Sequence, residues 1–128
     1  MAFDWREYLI LAKFLLGEEG ASCSEEAARR AAVSRAYYAA FCYARNFASN
    51  KLGFIPTRTG RDHGLLIAHY EAKEKLDSAL FGIADDLDEL LDYRKTCDYD
   101  DDVIVLTDFK SLVKCALEDA QEIIGILK

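Results

Sequence analysis

At 128 residues, with 52% hydrophobic and 30% charged residues, the chain has the size and composition of one globular domain with its own hydrophobic core. No apolar run approaches the roughly 20 residues of a membrane-spanning helix, and the N-terminal residues carry acid where a signal peptide carries base, so a cytoplasmic protein without membrane contact is predicted. The net charge of −7 argues against promiscuous binding of nucleic acid.

Apolar residues at helical spacing divide the chain into five predicted helices, separated by glycines and short polar loops. These helices are predicted over about residues 3–16, 24–50, 63–81, 83–96 and 108–127. The one β-like run is Val103 to Leu106, and because four residues alone cannot form a sheet, an extended connector is predicted there. The sequence therefore predicts a single domain over residues 1–128, an all-α antiparallel helix bundle with short loops.

Short polar patterns predict where the helices begin and end. Ser22 and Glu25 form a capping-box pattern before the second helix, Asp62 is a plausible cap for the third, and Thr107 opens the last. The run 97–102 is rich in short acidic side chains, which compete for backbone hydrogen bonds. The fourth helix is therefore predicted to end before this run.

The second helix is predicted to lie at the centre of the bundle, because it lacks Pro and Gly and is apolar nearly all round. Arg35, Tyr38 and Arg45 fall on one side of it. Burying an unpaired guanidinium costs too much free energy to be incidental, so Arg35 needs a carboxylate, a phosphate or a water-filled cleft. Tyr37 and Phe41, on the far side, are predicted to belong to the core.

The charges are distributed unevenly along the chain. Residues 27–61 contain seven basic residues and no acidic one, whereas residues from 62 onward contain 17 acidic and seven basic residues. This basic helix and loop could contact phosphate locally. The alternative, which the sequence leaves open, is that they complement acidic neighbours inside the bundle.

The four cysteines are predicted to be reduced structural thiols. They lie 19, 55 and 18 residues apart and form no CxxC pair. A structural zinc site needs closer ligand pairs, and two histidines without an ExxH pattern do not make a di-iron site. No metal and no cofactor is predicted.

Three separated pieces of the chain are in register with one known family. They are Ser34 to Phe41 (SRAYYAAF), Asp62 to Leu65 (DHGL) and Arg94 to Asp100 (RKTCDYD). On these pieces the chain resembles the HEPN domain family, in particular its small stand-alone prokaryotic members. The resemblance implies a four-helix up-and-down bundle with an additional short helix, usually homodimeric. It also implies RNA or nucleotide as ligand, since many members are metal-independent ribonuclease toxins paired with a minimal nucleotidyltransferase antitoxin.

The chain departs from the family at the catalytic pair, an Arg followed four to six residues later by His. Arg94 stands at the motif position, but Asp98 and Tyr99 occupy the place of the His. Arg94 and Asp98 are therefore the candidate catalytic residues, although a carboxylate is a far poorer general base than imidazole at neutral pH. The structural alternative is an i,i+4 ion pair that closes the fourth helix. The candidate nucleotide- or phosphate-binding residues are Arg35, Tyr38, Arg45, Tyr99 and His63.

Both histidines also have a structural interpretation. A literal Arg-x4-His pattern does occur at Arg58 and His63, but it straddles a loop and the start of the third helix, away from the family's motif. His63 is predicted to hydrogen-bond across the bundle from the first turn of its helix. His69, which lies on an apolar face, is predicted to be a satisfied core or interface residue.

Two functions of different class follow from these patterns. The first is a cytosolic homodimer that binds or cleaves RNA or nucleotide, with a minimal nucleotidyltransferase as partner. The second is a non-catalytic dimer that serves as an interaction or nucleotide-binding module, with the acidic segment 98–102 docking a basic partner. The missing His favours the second function, whereas the acid-free run at 27–61 favours the first.

Overall fold

A computed structural model describes residues 2–17, 23–101 and 109–128. The α-helices in these ranges are α1 (Arg6–Gly17), α2 (Glu25–Lys51), α3 (Asp62–Glu74), α4 (Ile83–Tyr99) and α5 (Phe109–Ile126), and a 3₁₀ helix covers Ser78–Leu80. The prediction of an all-α fold is confirmed. Within the described ranges, no helix has both the length and the apolar character that a membrane span requires.

The long helix α2 is the centre of the fold, as predicted. It packs against α1, α4 and α5, and α3 packs against α4. A row of alanines at four-residue spacing on α2 has no exposed surface, so the neighbouring helices approach its backbone closely. These alanines are Ala32, Ala36, Ala40 and Ala44. The helices α1, α2, α4 and α5 thus form a four-helix bundle to which α3 is added.

The start of α2 differs slightly from the prediction. Its N-cap is Ser24, whose side chain accepts a hydrogen bond from the Ala27 N–H at 3.1 Å. The predicted capping residue Ser22 lies outside the described residues. The predicted connector at 103–106 and the predicted cap Thr107 lie outside them too.

The prediction of one continuous third helix as far as residue 81 is wrong. The helix α3 ends at Glu74, and the Asp77 carboxylate then accepts a hydrogen bond from the Ala79 N–H at 3.0 Å, which starts the 3₁₀ helix. An Asp side chain offers the backbone this local alternative to the helical bond. Helical spacing predicts Leu65, Ala68, Ala72 and Leu76 on the inward face of one continuous third helix, but all four are exposed, and Leu76 is 82% exposed.

The fourth helix runs further than predicted, because a side chain from α2 donates hydrogen bonds to the carbonyl oxygens at its end. The Arg30 guanidinium donates from Nη1 to the carbonyl oxygens of Cys97 and Asp100, at 3.0 and 2.6 Å. The last carbonyls of a helix have no partner within the helix, and a basic side chain at that end stabilises them. The acidic run therefore stays helical as far as Tyr99.

All four cysteines are free thiols, as predicted. Cys42 and Cys97 are buried in the core, Cys115 is half-buried and Cys23 is exposed. Burial raises the pKa of Cys97 to about 11, which makes this thiol a weak nucleophile.

Candidate functional site

Two adjoining clefts lie along one side of α2. A cleft of about 520 Å³ lies between α2 and the loop that precedes α3, and a cleft of about 400 Å³ lies between α1 and α2. Phe41, Arg45 and His63 line both clefts. We therefore treat the two as one continuous feature, termed the α2 groove.

Arg35 lies in the α2 groove and is held by aromatic rings. Its Cζ atom is 4.9 Å from the ring centroid of Tyr8 and 5.6 Å from that of Tyr38. Among the described residues, no carboxylate lies within ion-pair distance of its guanidinium. The sequence required a carboxylate, a phosphate or a water-filled cleft for this cation, and the structure provides the cleft.

Arg45 stands where the two clefts meet. Its guanidinium donates to the Asn46 side-chain oxygen at 3.0 and 3.2 Å and lies 5.8 Å from the Trp5 ring centroid. These contacts are to neutral groups, so the charge of Arg45 has no ion-pair partner among the carboxylates that the structure describes. A bound anion could take that place.

The loop at the end of the groove is held by the first residue of α3. The Asp62 carboxylate accepts hydrogen bonds from the Thr57 N–H, the Thr57 hydroxyl and the Arg58 N–H, at 2.9, 2.6 and 2.9 Å. The Thr57 hydroxyl, followed by the two backbone bonds, lowers the pKa of Asp62. Asp62 was predicted to cap its own helix, but it instead fixes the preceding loop.

That loop places a further arginine in the groove at a conformational cost. Arg58 has φ = +62°, in the left-handed region, where a side chain other than glycine's costs on the order of 1 kcal/mol. The bond from its N–H to Asp62 maintains this conformation. Sequence reasoning named Arg58 only as part of the Arg-x4-His pattern, and the structure makes it a lining residue of the groove.

His63 is fixed in the groove by two aromatic side chains of α2. Its Nδ1 atom is hydrogen-bonded to the Tyr37 hydroxyl, and its ring stacks on Phe41 with centroids 4.5 Å apart. Burial and then the nearby Arg94 cation lower the pKa of His63 below its usual value. Burial raises the pKa of Tyr37, which therefore stays a neutral phenol. The predicted hydrogen bond across the bundle is confirmed.

His69 and Tyr70 anchor α3 on the end of α2. The His69 Nε2 atom is 2.7 Å from the Leu52 carbonyl oxygen, and the Tyr70 hydroxyl donates to the Ala44 carbonyl oxygen at 2.7 Å. His69 is thus the satisfied histidine that the sequence predicted. These two bonds hold the helix that carries His63 in position.

Arg94 lies behind the groove and not in it. It is 7% exposed, and its Cζ atom is 5.4, 5.6 and 5.7 Å from the ring centroids of Tyr37, Tyr38 and Tyr99. Its Nη1 atom donates to the Tyr99 hydroxyl at 3.4 Å, while its buried Nε has no hydrogen-bond partner in the part of the chain that the structure describes. It lines neither of the two clefts, and a role of Arg94 in binding phosphate stays a prediction.

Asp98 pairs with Arg94 through an Oδ2–Nη1 distance of 3.6 Å and accepts a hydrogen bond from the Ser34 hydroxyl at 3.3 Å. The i,i+4 ion pair considered from the sequence is therefore present. A catalytic role for Asp98 stays a prediction. Tyr99 is 72% exposed beside this pair and is separate from the lining of both clefts.

The predicted site residues thus divide into two neighbouring sets. The groove set is Arg35, Tyr38, Arg45 and His63, and the set behind it is Arg94, Asp98 and Tyr99. Sequence reasoning assigned Tyr37 only to the hydrophobic core and gave Tyr8 no role, so it missed what both residues do. Their helical spacing gave no sign that one would hold a cation and the other a histidine.

A cluster of acidic side chains lies between α4 and α5, and sequence reasoning missed it because its members are far apart in the chain. Carboxylate oxygens of Asp86, Asp119 and Glu122 lie within 4.8 Å of one another. Burial, followed by the neighbouring carboxylates, raises the pKa of Asp86 to about 6 and that of Asp119 to about 7. Both carboxyl groups therefore keep their protons to a higher pH in the folded protein than in the unfolded chain.

The model of the HEPN domain family matches residues 17–128. No curated protein and no solved structure gives a match to the chain. The HEPN family is associated with ribonuclease activity and with binding of nucleotides or RNA. The helical bundle and a family match over most of the sequence lead to one conclusion: the chain belongs to the HEPN domain family.

Proposed function

We propose that this HEPN protein binds RNA or a nucleotide in the α2 groove. The observation that carries the proposal is that Arg35, Arg45 and Arg58 line this one groove, and none of them forms an ion pair with a described carboxylate. Guanidinium groups recognise phosphate through paired N–H donors. Three such groups without an ion-pair partner among the described residues favour a ligand that carries phosphate.

Aromatic side chains among these cations favour a nucleic-acid ligand over free phosphate. Tyr8 and Tyr38 line the groove beside Arg35, and Phe41 and His63 line it beside Arg45. Proteins that bind single-stranded nucleic acid combine a cationic groove with rings on which bases stack. The groove offers both kinds of group within one continuous surface.

The negative net charge of the molecule restricts where RNA can bind and how tightly. With a net charge of −7, most of the surface repels a polyanion, so contact is confined to the groove. Three phosphate contacts to a single strand give a slope of log affinity against log salt of about −2. We therefore expect modest affinity and a shallow dependence on salt.

Replacing Arg35 tests this proposal. We expect Arg35→Gln to weaken binding of a short fluorescein-labelled single-stranded RNA by about tenfold and to reduce the salt slope by about 0.7, because one phosphate contact is lost. Fluorescence anisotropy at several salt concentrations measures both quantities. Lys114→Gln removes the same charge from an exposed site on α5 and should leave affinity and slope unchanged.

Two results would count against groove binding. If the wild-type protein shows no affinity for this RNA at low salt, the proposed function is wrong. If Arg35→Gln and Lys114→Gln weaken binding equally, the protein responds only to its overall charge.

We further propose that the protein is a homodimer that associates through α1. Ile10 and Phe14 are 67% and 61% exposed, and Leu11 beside them is 38% exposed, so one strip of α1 presents apolar surface to solvent. Contiguous exposed apolar surface is typical of protein interfaces. We expect Phe14→Glu to convert a dimer into a monomer in light scattering. The control is Leu76→Glu, which changes an apolar residue that lies outside α1 and is 82% exposed, and it should leave the mass unchanged. A monomeric wild-type protein would contradict the proposal.

The finer form of the proposal is a metal-independent ribonuclease toxin whose antitoxin partner is a minimal nucleotidyltransferase. Family membership supports it, and so does the presence of a histidine in the groove. The alternative is a non-catalytic dimer that serves as an interaction or nucleotide-binding module. The substitution of Asp98 for the family's His and the burial of Arg94 support this alternative. Incubation with RNA in EDTA separates the two, because only the ribonuclease cleaves.

A further inference from the structure

We propose that His63 takes up a proton when an anion binds in the α2 groove, so that the groove binds anions more tightly at acidic than at neutral pH. The proposal rests on the function proposed above and adds to it a regulation of binding at the same site. A groove of this kind releases its ligand as the pH rises.

The ring of His63 lies among the arginines that would hold an anion. His63 and Arg45 line both clefts, Arg58 lines the larger cleft with them, and Arg35 lines the smaller one. An anion bound to these guanidinium groups therefore shares a cleft with the imidazole. A negative charge close to a histidine favours the charged imidazolium. We therefore expect a bound anion to raise the pKa of His63.

The hydrogen bond to Tyr37 can hold the His63 ring in both charge states. His63 Nδ1 is bonded to the Tyr37 hydroxyl, and the ring stacks on Phe41 with centroids 4.5 Å apart. Burial raises the pKa of Tyr37, which stays a neutral phenol. Its hydroxyl can donate to Nδ1 of the neutral ring or accept from Nδ1–H of the imidazolium. The ring can thus gain a proton when one hydroxyl rotates, without leaving the groove.

The second ring nitrogen remains for the ligand. Within the described residues, His63 Nε2 has no hydrogen-bond partner in the protein. In the imidazolium both ring nitrogens are donors. Nε2–H can therefore donate to the bound anion while Nδ1–H donates to the Tyr37 oxygen, and a hydrogen bond between two charged groups is stronger than one between neutral groups.

The surroundings of His63 favour its neutral form when no anion is bound. The phenols that face the ring are those of Tyr37 and Tyr38. The charged groups around it are Arg35 and Arg45 of α2, Arg58 of the preceding loop, Arg94 and Lys95 of α4, and Asp62 beside it on α3. Burial is the largest effect and Arg94 the next, and both lower the pKa of His63, whereas Asp62 raises it. His63 therefore has a proton to gain when an anion binds at neutral pH.

Thermodynamic linkage gives the sign of the pH dependence. If the anion raises the pKa of His63, a proton on His63 strengthens anion binding by the same factor. Affinity is highest below the pKa of the ligand-free protein, falls between that pKa and the higher pKa of the complex, and is constant above both. A rise of about one pKa unit corresponds to an affinity about tenfold higher at the acidic limit than at the basic limit.

The acidic cluster between α4 and α5 provides a matched control. The pKa of Asp86 is about 6 and that of Asp119 is about 7, so these groups titrate in the range where histidine does. Neither of them lines the groove. Asp119→Asn therefore removes a group that titrates in this range without changing the groove, and it should keep the pH dependence of anion binding.

The experiment uses the full chain and sulfate as the probe. Sulfate stays a dianion between about pH 5 and pH 8, whereas phosphate gains a proton within this range. NMR spectroscopy follows the two histidine rings of the wild-type protein across this range, with and without saturating sulfate at constant ionic strength. We expect sulfate to raise the midpoint of the His63 titration by about one pH unit. The His69 ring, which lines neither cleft, is the internal control, and its titration curve should not change.

The sulfate affinity at each pH gives the reciprocal measurement. It should fall by about tenfold from pH 5 to pH 8 in wild type and in Asp119→Asn, and by less than about twofold in His63→Gln. Circular dichroism at each pH checks that the variants are folded. The NMR titration needs only the wild-type protein, so it gives an answer even if His63→Gln does not fold.

The outcomes separate this inference from the proposed function. If saturating sulfate leaves the His63 midpoint unchanged, or if His63→Gln shows the same pH dependence as wild type, the inference is wrong and groove binding stands. The same holds if the single-stranded RNA binds and sulfate does not. If neither sulfate nor the RNA binds at any pH, the proposed function is wrong as well.

Discussion

Replacing Arg94 by alanine is expected to lower the free energy of unfolding by about 3 kcal/mol, because it empties a closed site between tyrosine rings. The guanidinium is 7% exposed and lies within 5.7 Å of three ring centroids. Alanine removes those contacts and leaves a cavity between α2 and α4. It also leaves Asp98 without its cationic partner, although that carboxylate can be hydrated because its side chain is 27% exposed.

Arg94→Met distinguishes packing from charge at this site. Methionine fills most of the volume of the arginine stem and buries no charge. We therefore expect Arg94→Met to lower the free energy of unfolding by less than half as much as Arg94→Ala. Urea denaturation followed by Trp5 fluorescence and by circular dichroism measures both variants. The control is Arg6→Ala, which removes an exposed arginine paired with Asp4 and should leave the free energy of unfolding almost unchanged. Equal stability of Arg94→Ala and Arg6→Ala would contradict the structural role assigned to Arg94.

The structural role of Arg94 also bears on RNA binding. If Arg94 supports Tyr37 and Tyr38 from behind, Arg94→Met should keep most of the RNA affinity while changing the environment of His63. If Arg94 instead contacts phosphate directly, Arg94→Met should weaken binding as much as Arg35→Gln does. The motif arginine of the family would then retain its expected role in this chain.

Asp119→Asn is expected to raise the free energy of unfolding at about pH 8 by roughly 1–2 kcal/mol and to have little effect near pH 4. The pKa of Asp119 is about 7 in the folded protein, above the ordinary value of 3.8. A carboxyl with a raised folded-state pKa favours the fold when it is protonated, and this contribution is lost as the pH rises through about 7. The full shift would correspond to about 4 kcal/mol, but partial exposure and solvent screening reduce it.

Chemical denaturation across this pH range measures the effect. Wild-type protein should lose stability between about pH 4 and pH 7, and Asp119→Asn should show a flatter profile. Glu71→Gln removes one negative charge from an exposed position on α3 and should keep the wild-type profile. Identical profiles for wild type and Asp119→Asn would show that neither burial nor the neighbouring carboxylates raise the pKa of Asp119 in the folded state.

The helices could be predicted from the sequence because their signals are local. Runs of alanine and leucine at helical spacing identified α1, α2, α4 and α5, and the absence of Pro and Gly identified α2 as the longest. The errors occur where a side chain from a distant part of the chain determines the end of a helix. The end of α4 depends on Arg30, whose partners lie 67 and 70 residues away.

The candidate site, too, could be predicted from the sequence only in part. The side of α2 that carries Arg35, Tyr38 and Arg45 follows from helical geometry, so these residues could be grouped in advance. The partners of that side could not be predicted, because α1 and α3 bring Tyr8 and His63 to it from other parts of the chain. The burial of Arg94 behind two tyrosines could not be predicted from the sequence either.

The sequence by itself determined the helical class, the central helix, the basic stretch and the resemblance to the HEPN family. Each of these depends only on residue type and on spacing along the chain. Only the tertiary structure decided that His63 shares a groove with three arginines while Arg94 is enclosed by tyrosine rings. The physical reason is that burial, hydrogen bonding and the effect of charge on pKa depend on distances between residues that are remote in the chain. Those distances are set by how the helices pack.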